Sequence, residues 1–102
     1  MTDVVRMRYE LVADIVERVM GVEHAELLSS KKEEATDARS ILVFVLSDDF
    51  TDGEMAKCMG LTRQAVNGIR NGARDRIRSR RMLVCCVQEI RKELARDEKR
   101  IT

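Results

Sequence analysis

The sequence predicts an all-α fold, five or six helices around one core, on three observations. The 102 residues contain no proline and only five glycines, so little interrupts a helix. Charged residues make up 36 %, a composition that suits amphipathic helices better than sheet. Apolar residues also recur at helical spacing in successive segments. At this length the chain reads as a single helical domain spanning residues 1–102 with one core.

The elements follow in order. Val4, Leu11, Val12, Ile15, Val16 and Val19 make a helical stripe from Val4 to Met20, which Gly21 breaks. Val22 to Leu28 allows one or two further turns, ending at Ser29-Ser30. Lys31-Lys32-Glu33-Glu34 lacks apolar periodicity and reads as a polar connection. Thr36 or Asp37 can then cap a helix from Ala38 to about Ser47. Its run Ile41 to Leu46 is apolar all round, which makes it a central buried helix. A buried strand is the local alternative, but no partner strand is evident.

Asp48-Asp49-Phe50 closes that helix, and a capping box follows, with Thr51 as the cap and Glu54 three residues on. The helix Asp52–Met59 stops at Gly60, and Thr62 caps the next. Val66, Ile69, Ala73 and Ile77 keep one face of that helix buried as far as about Arg78. Gly68 and Gly72 weaken it, so an end near Asn71 also fits. The last helix runs from about Arg80 to Glu98, with Met82, Cys85, Cys86, Val87, Ile90 and Leu94 on its inner side.

Net charge is only +1, but its distribution is uneven. Between Thr62 and Val84 stand seven arginines (63, 70, 74, 76, 78, 80 and 81) against one acid, Asp75. The segment carries +6 and leaves −5 for the remainder. Such clustering creates an electrostatic footprint for phosphate.

The basic segment overlaps a second pattern. Asp52 to Asn71 matches a helix-turn-helix almost position by position. Ala56 is the small residue where two helices must cross, and Gly60 tolerates positive φ at the turn. Met55, Met59, Leu61, Val66 and Ile69 are apolar pins to the rest of the domain. The face opposite these pins is the expected DNA side: Arg63, Asn67, Arg70, Asn71 and Arg74 fall at i, i+4, i+7, i+8 and i+11, with Gln64 beside them. Arginine can pair with guanine, and asparagine or glutamine with adenine. Thr51 and Thr62 are expected at phosphates beside helix starts. Arg76, Arg78, Arg80 and Arg81 are expected to clamp the DNA backbone.

From Ile15 to Leu94 the chain resembles the C-terminal duplex-DNA-binding domain of the bacterial replication initiator DnaA, within the Trp-repressor-like superfamily. The parallel lies in Val16-Glu-Arg-Val-Met-Gly-Val-Glu-His-Ala-Glu-Leu-Leu-Ser29, then lysines, then Ala38-Arg39-Ser-Ile-Leu-Val-Phe-Val-Leu46, then the helix-turn-helix. The resemblance implies a minor-groove role for Lys31 and Lys32. Glu33 and Glu34 follow them at once. The initiator signature Gly-Arg-Asp-His-Thr-Thr-Val is absent, and Gly60-Leu-Thr-Arg-Gln-Ala-Val66 stands in its place with a shorter turn. There is no Gly-x-x-x-x-Gly-Lys-Ser/Thr stretch to hold a nucleotide. The resemblance therefore implies the fold and duplex-DNA binding, not origin recognition.

Function is expected to be sequence-specific binding of double-stranded DNA, as a transcriptional regulator or replication-associated accessory factor. A protein-interaction module that keeps the fold without DNA contact is the second reading. Because one helix-turn-helix reads about half a site, a homodimer or partner protein is expected. No enzyme activity, metal or cofactor is expected: His24 is the only histidine and reads as solvated, while Cys58, Cys85 and Cys86 and the six methionines read as core. With few aromatics, single-stranded nucleic acid is a poor fit. No run of about 18 apolar residues could span a membrane. Met1-Thr2-Asp3 lacks the head of a secretory signal, and the odd cysteine count suits a reducing cytoplasm.

Overall fold

The computed structural model describes residues 3–101, and Met1 and Thr2, on which the leader reading partly rests, lie outside them. These residues form six helices and no strand: α1 Asp3–Met20, α2 His24–Ser29, α3 Glu33–Leu46, α4 Asp52–Met59, α5 Arg63–Arg78 and α6 Arg81–Ile101. The expected all-α class holds. The ambiguous run Ile41 to Leu46 is helix, and α5 continues through both Gly68 and Gly72.

α3 is the centre of the packing, touching α1, α2, α5 and α6. Ala38, Ile41, Leu42 and Val43 are fully buried, as its apolar circumference requires. Around it, α1 contributes Tyr9, Val12, Ile15 and Val16, while α4 contributes Met55 and Met59. α5 adds Val66, Ala73 and Ile77 to the buried set.

The stops of α1 and α4 share one geometry. Gly21 and Gly60 both have φ of 68°, a left-handed conformation in which a side chain is strained. In each case two successive amides converge on one carbonyl. Gly21 and Val22 donate to the Glu17 oxygen at 2.8 and 3.1 Å. Gly60 and Leu61 donate to that of Ala56, the Leu61 bond measuring 3.0 Å. Bonds of this kind satisfy carbonyls that a helix end leaves orphaned.

Several expectations need correction. α3 starts at Glu33 instead of Ala38, so Glu33 and Glu34 form its first turn, where acids favour the helix dipole. Neither Thr36 nor Asp37 caps it. Thr36 Oγ1 donates back to the Lys32 carbonyl, and Asp37 is buried. Arg39 shortens the preceding connection by donating to the Leu27 and Ser30 carbonyls at 2.8 and 2.7 Å.

The inner face of α6 is rotated from the expected one. Leu83, Val87, Ile90 and Leu94 are buried at i, i+4, i+7 and i+11, whereas Met82 and Cys85 are exposed and Cys86 is half-buried. Each residue turns roughly 100° about a helix, so Met82 cannot share the Leu83 face. Val4 and Met7 likewise stand out from α1, so neither the whole apolar stripe nor every methionine is core.

His24 is not merely solvated. Its Nδ1 lies 2.9 Å from Glu17, and its Nε2 lies 3.3 Å from the hydroxyl of buried Tyr9. These contacts pin α2 to α1.

The small-residue requirement at the α4–α5 crossing is testable. Ala56 is 6 % exposed, so Ala56→Leu is expected to lower stability by on the order of 1–3 kcal/mol through overpacking. Exposed Arg63→Ala should stay within about 0.5 kcal/mol. Urea denaturation of both variants is the check, and equal losses would reverse the assignment of inner and outer faces.

Candidate nucleic-acid interface

The face assigned to DNA is built where α4 begins and α5 passes it. Thr51 caps α4, accepting from the Glu54 amide at 3.1 Å while the Glu54 carboxylate accepts from the Thr51 amide at 2.9 Å. Thr62 caps α5 by accepting from the Ala65 amide at 3.1 Å. Both local sequences fold as their capping residues direct. Arg63 and Gln64 stand exposed in the first turn of α5. The Arg63 stem reaches back over α4, since a Cβ on Gly53 would lie 3.9 Å from Arg63 Cδ.

One acid organises this surface. Asn67 donates to Asp52 Oδ2 at 3.0 Å. Arg70 makes a two-pronged contact, Nε to Oδ1 at 2.8 Å and a terminal nitrogen to Oδ2 at 3.1 Å. Asn71 extends the chain by donating to Asn67 Oδ1 at 3.1 Å. Hydrogen bonds from Arg70 and Asn67 hold the Asp52 carboxyl below its usual range. The depressed value means that the pair is fully formed above the ordinary carboxylate pKa and is lost as pH falls through the folded one. Near neutral pH, Asn67 and Arg70 are therefore oriented by a fixed anion.

The arginines of the basic segment other than Arg70 divide into two sets. Arg63, Arg74, Arg78 and Arg81 are exposed and form no ion pair among the described residues. Arg76 and Arg80 are spent on α3. The guanidinium Nε of Arg76 donates to Asp37 Oδ1 at 2.8 Å, and Arg80 contacts both Asp37 Oδ2 and, at 3.2 Å, Glu33. The reason lies in helical geometry: Arg76 is two residues from Arg74 and from Arg78, roughly 200° around α5. It faces the core side while they face out. Asp37 is 3 % exposed, a burial that a carboxylate tolerates only when paired.

Lys31 and Lys32 are exposed, next to the α3 start that Arg80 holds through Glu33. They thus stand at the Arg78 end of α5, some distance from Thr62: a 16-residue helix is roughly 24 Å long.

Sequence reasoning missed both organising acids. Asp52 looks like an ordinary first-turn acid. Asp37 carried a usable signal, an acid one residue before Ala38 in a helix whose next turn is wholly apolar.

No cluster of three or more metal-ligating side chains occurs among the described residues, and Cys58, Cys85 and Cys86 are joined by no disulfide. Burial pushes the Cys58 and Cys86 thiols up, away from the reactive thiolate. No described helix is long and apolar enough to cross a membrane. Comparison with protein-family models, with curated proteins and with solved structures gives no match.

Asp37 separates structural from surface arginines. Asp37→Ala is expected to destabilise by about 2–4 kcal/mol, tempered because Arg76 and Arg80 can turn to water. Arg76→Ala should cost less, since Arg80 still pairs the carboxylate, and the double variant should show less than the sum of the two losses. Urea melts of the three variants measure this coupling; simple additivity would mean that Asp37 and Arg76 act independently.

Proposed function

We propose that the protein binds double-stranded DNA sequence-specifically, with α4, the Gly60 turn and α5 acting as a helix-turn-helix. The observation that carries the reading is the outer side of α5. Beyond the Thr62 cap it presents exposed Arg63, Gln64 and Asn67, and farther along Arg74 and Arg78, which form no ion pair among the described residues, on a helix locked from behind by Val66, Ala73 and Ile77. A transcriptional regulator or a replication-associated accessory factor would use such a helix in the same way.

In this reading the first turns of α5 enter the major groove. Gln64 and Asn67 meet adenine edges and Arg63 a guanine. Asp52 sets the direction of Asn67 and Arg70 before contact, which lowers the ordering cost of binding. Thr51 and Thr62 lie at helix starts suited to phosphate. Arg74, Arg78 and Arg81 neutralise the backbone, with Lys31 and Lys32 at the far end. Arg76 and Arg80 serve differently, holding the α5–α6 corner on α3 so that the other arginines face outward. A second copy or a partner protein supplies the other half-site.

The test begins with selection of bound sequences from random duplex DNA at stated salt. Affinity should fall steeply with salt, and Arg78→Ala should weaken every sequence alike and lower the log–log slope by about one. Gln64→Ala should instead relax preference at one or two base pairs by roughly 1–3 kcal/mol while leaving the slope unchanged. Arg76→Ala should leave the slope unchanged too. A salt slope near zero for the unaltered protein would remove the DNA reading.

A further inference from the structure

Between α3, α5 and α6 runs a groove of about 370 Å³ whose apolar floor the helix-turn-helix reading does not use. Its floor is apolar: Phe44 from α3, Ile77 from α5, and Val84 and Val87 from α6. Its rim is cationic, with Arg74 and Arg78 on the α5 side and Arg91 on the α6 side. No acid lines it. The Arg91 guanidinium lies 5.4 Å from the centre of the Phe44 ring and 3.6 Å from exposed Asp48. A solvated pair of that length adds little, so Arg91 is available to a stronger anion.

We propose that this groove docks an acidic peptide segment of a partner protein, with one large apolar side chain on the Phe44–Val87 floor and flanking carboxylates on the three arginines. Charge complementarity selects the chemistry. Arg74 and Arg78 lie one helical turn apart, roughly 6 Å along α5, and Arg91 faces them across the floor. Cations spread in this way meet a line of carboxylates better than a single acid head. The volume lies near the lower end for small-molecule pockets and has ample room for one anchoring side chain. Apolar anchor plus charged rim is a common mode of peptide recognition.

Only one consequence rests on the DNA reading. Arg74 and Arg78 belong both to the groove and to the outer face of α5, so peptide and duplex compete for them. An acidic partner would then release the protein from DNA, or DNA would exclude the partner.

The probe is a fluorescein-labelled peptide Glu-Asp-Glu-Leu-Phe-Glu-Asp-Glu, titrated with the full chain by anisotropy, with the Leu-Phe pair replaced by Ser-Ser as control. Saturable binding is expected, weakened at least about tenfold by the Ser-Ser change and by Arg91→Glu. Gln88→Glu, which adds an acid at the groove edge with almost no change in shape, should weaken it as well. Both substitutions are at exposed positions, and thermal melts should match the unaltered protein. Duplex affinity and its salt slope should survive Arg91→Glu, while added duplex should displace the peptide. No saturable binding, binding indifferent to Arg91→Glu and Gln88→Glu, or decanoate binding as tightly as the peptide would each overturn the proposal. Peptide binding that duplex fails to displace upholds the groove and counts against the DNA reading instead.

Discussion

The arrangement of this protein depends on a buried carboxylate. Asp37 lies inside the packing of α3 at 3 % exposure, where an unpaired anion would cost several kcal/mol. Its partners, Arg76 and Arg80, straddle the corner at Ser79 where α5 ends and α6 begins. That corner is tight. The Ser79 amide closes α5 on the Asp75 carbonyl, and its hydroxyl donates to the Arg76 carbonyl at 2.7 Å. Satisfying Asp37 therefore places both helices at once against α3.

The same pairing decides the rotation of α5. With Arg76 turned to Asp37 and Val66, Ala73 and Ile77 in the core, Arg74 and Arg78 must lie on another side of the helix. A stretch that is uniformly arginine-rich in the chain becomes two surfaces with different work. One arginine pair is structural, tied to the most buried acid of the fold. Arg63, Arg74, Arg78 and Arg81 stand exposed without an ion pair among the described residues, and the formal total of +6 overstates the charge left at the surface.

Asp52 does at the opposite end of α5 what Asp37 does at the corner, but closer to the surface, with its side chain 19 % exposed. It holds Arg70 through two hydrogen bonds and Asn67 through one. Near the surface such a pair adds little stability, and its effect is to restrict where long side chains point. The outer face of α5 thus grades from oriented groups near α4 to arginines near α6 that form no ion pair among the described residues. Arg74 and Arg78 also border an apolar groove, so the exposed side of one helix adjoins two neighbouring surfaces.

What the sequence determined alone is what depends on neighbours along the chain. Thr51 with Glu54, Gly60, Thr62 and Gly21 set helix ends, because capping and left-handed turns involve residues a few positions apart. Local pattern also predicted the burial of Ile41, Leu42, Val43, Val45 and Leu46, from an all-apolar run, and of Val66, Ala73 and Ile77, from helical spacing, while Phe44 of the same run is half-buried at the groove. Tertiary structure decided the rest. It extended α3 back to Glu33, turned Met82 and Cys85 outward in favour of Leu83, and joined His24 to Tyr9 and Glu17. Above all it chose which arginines are structural: Arg76 meets Asp37 across 39 positions of chain, and Arg70 meets Asp52 across 18. An ion pair across such a separation exists only once packed helices bring its members together, and helical spacing within α5 carries no record of which acid will stand opposite.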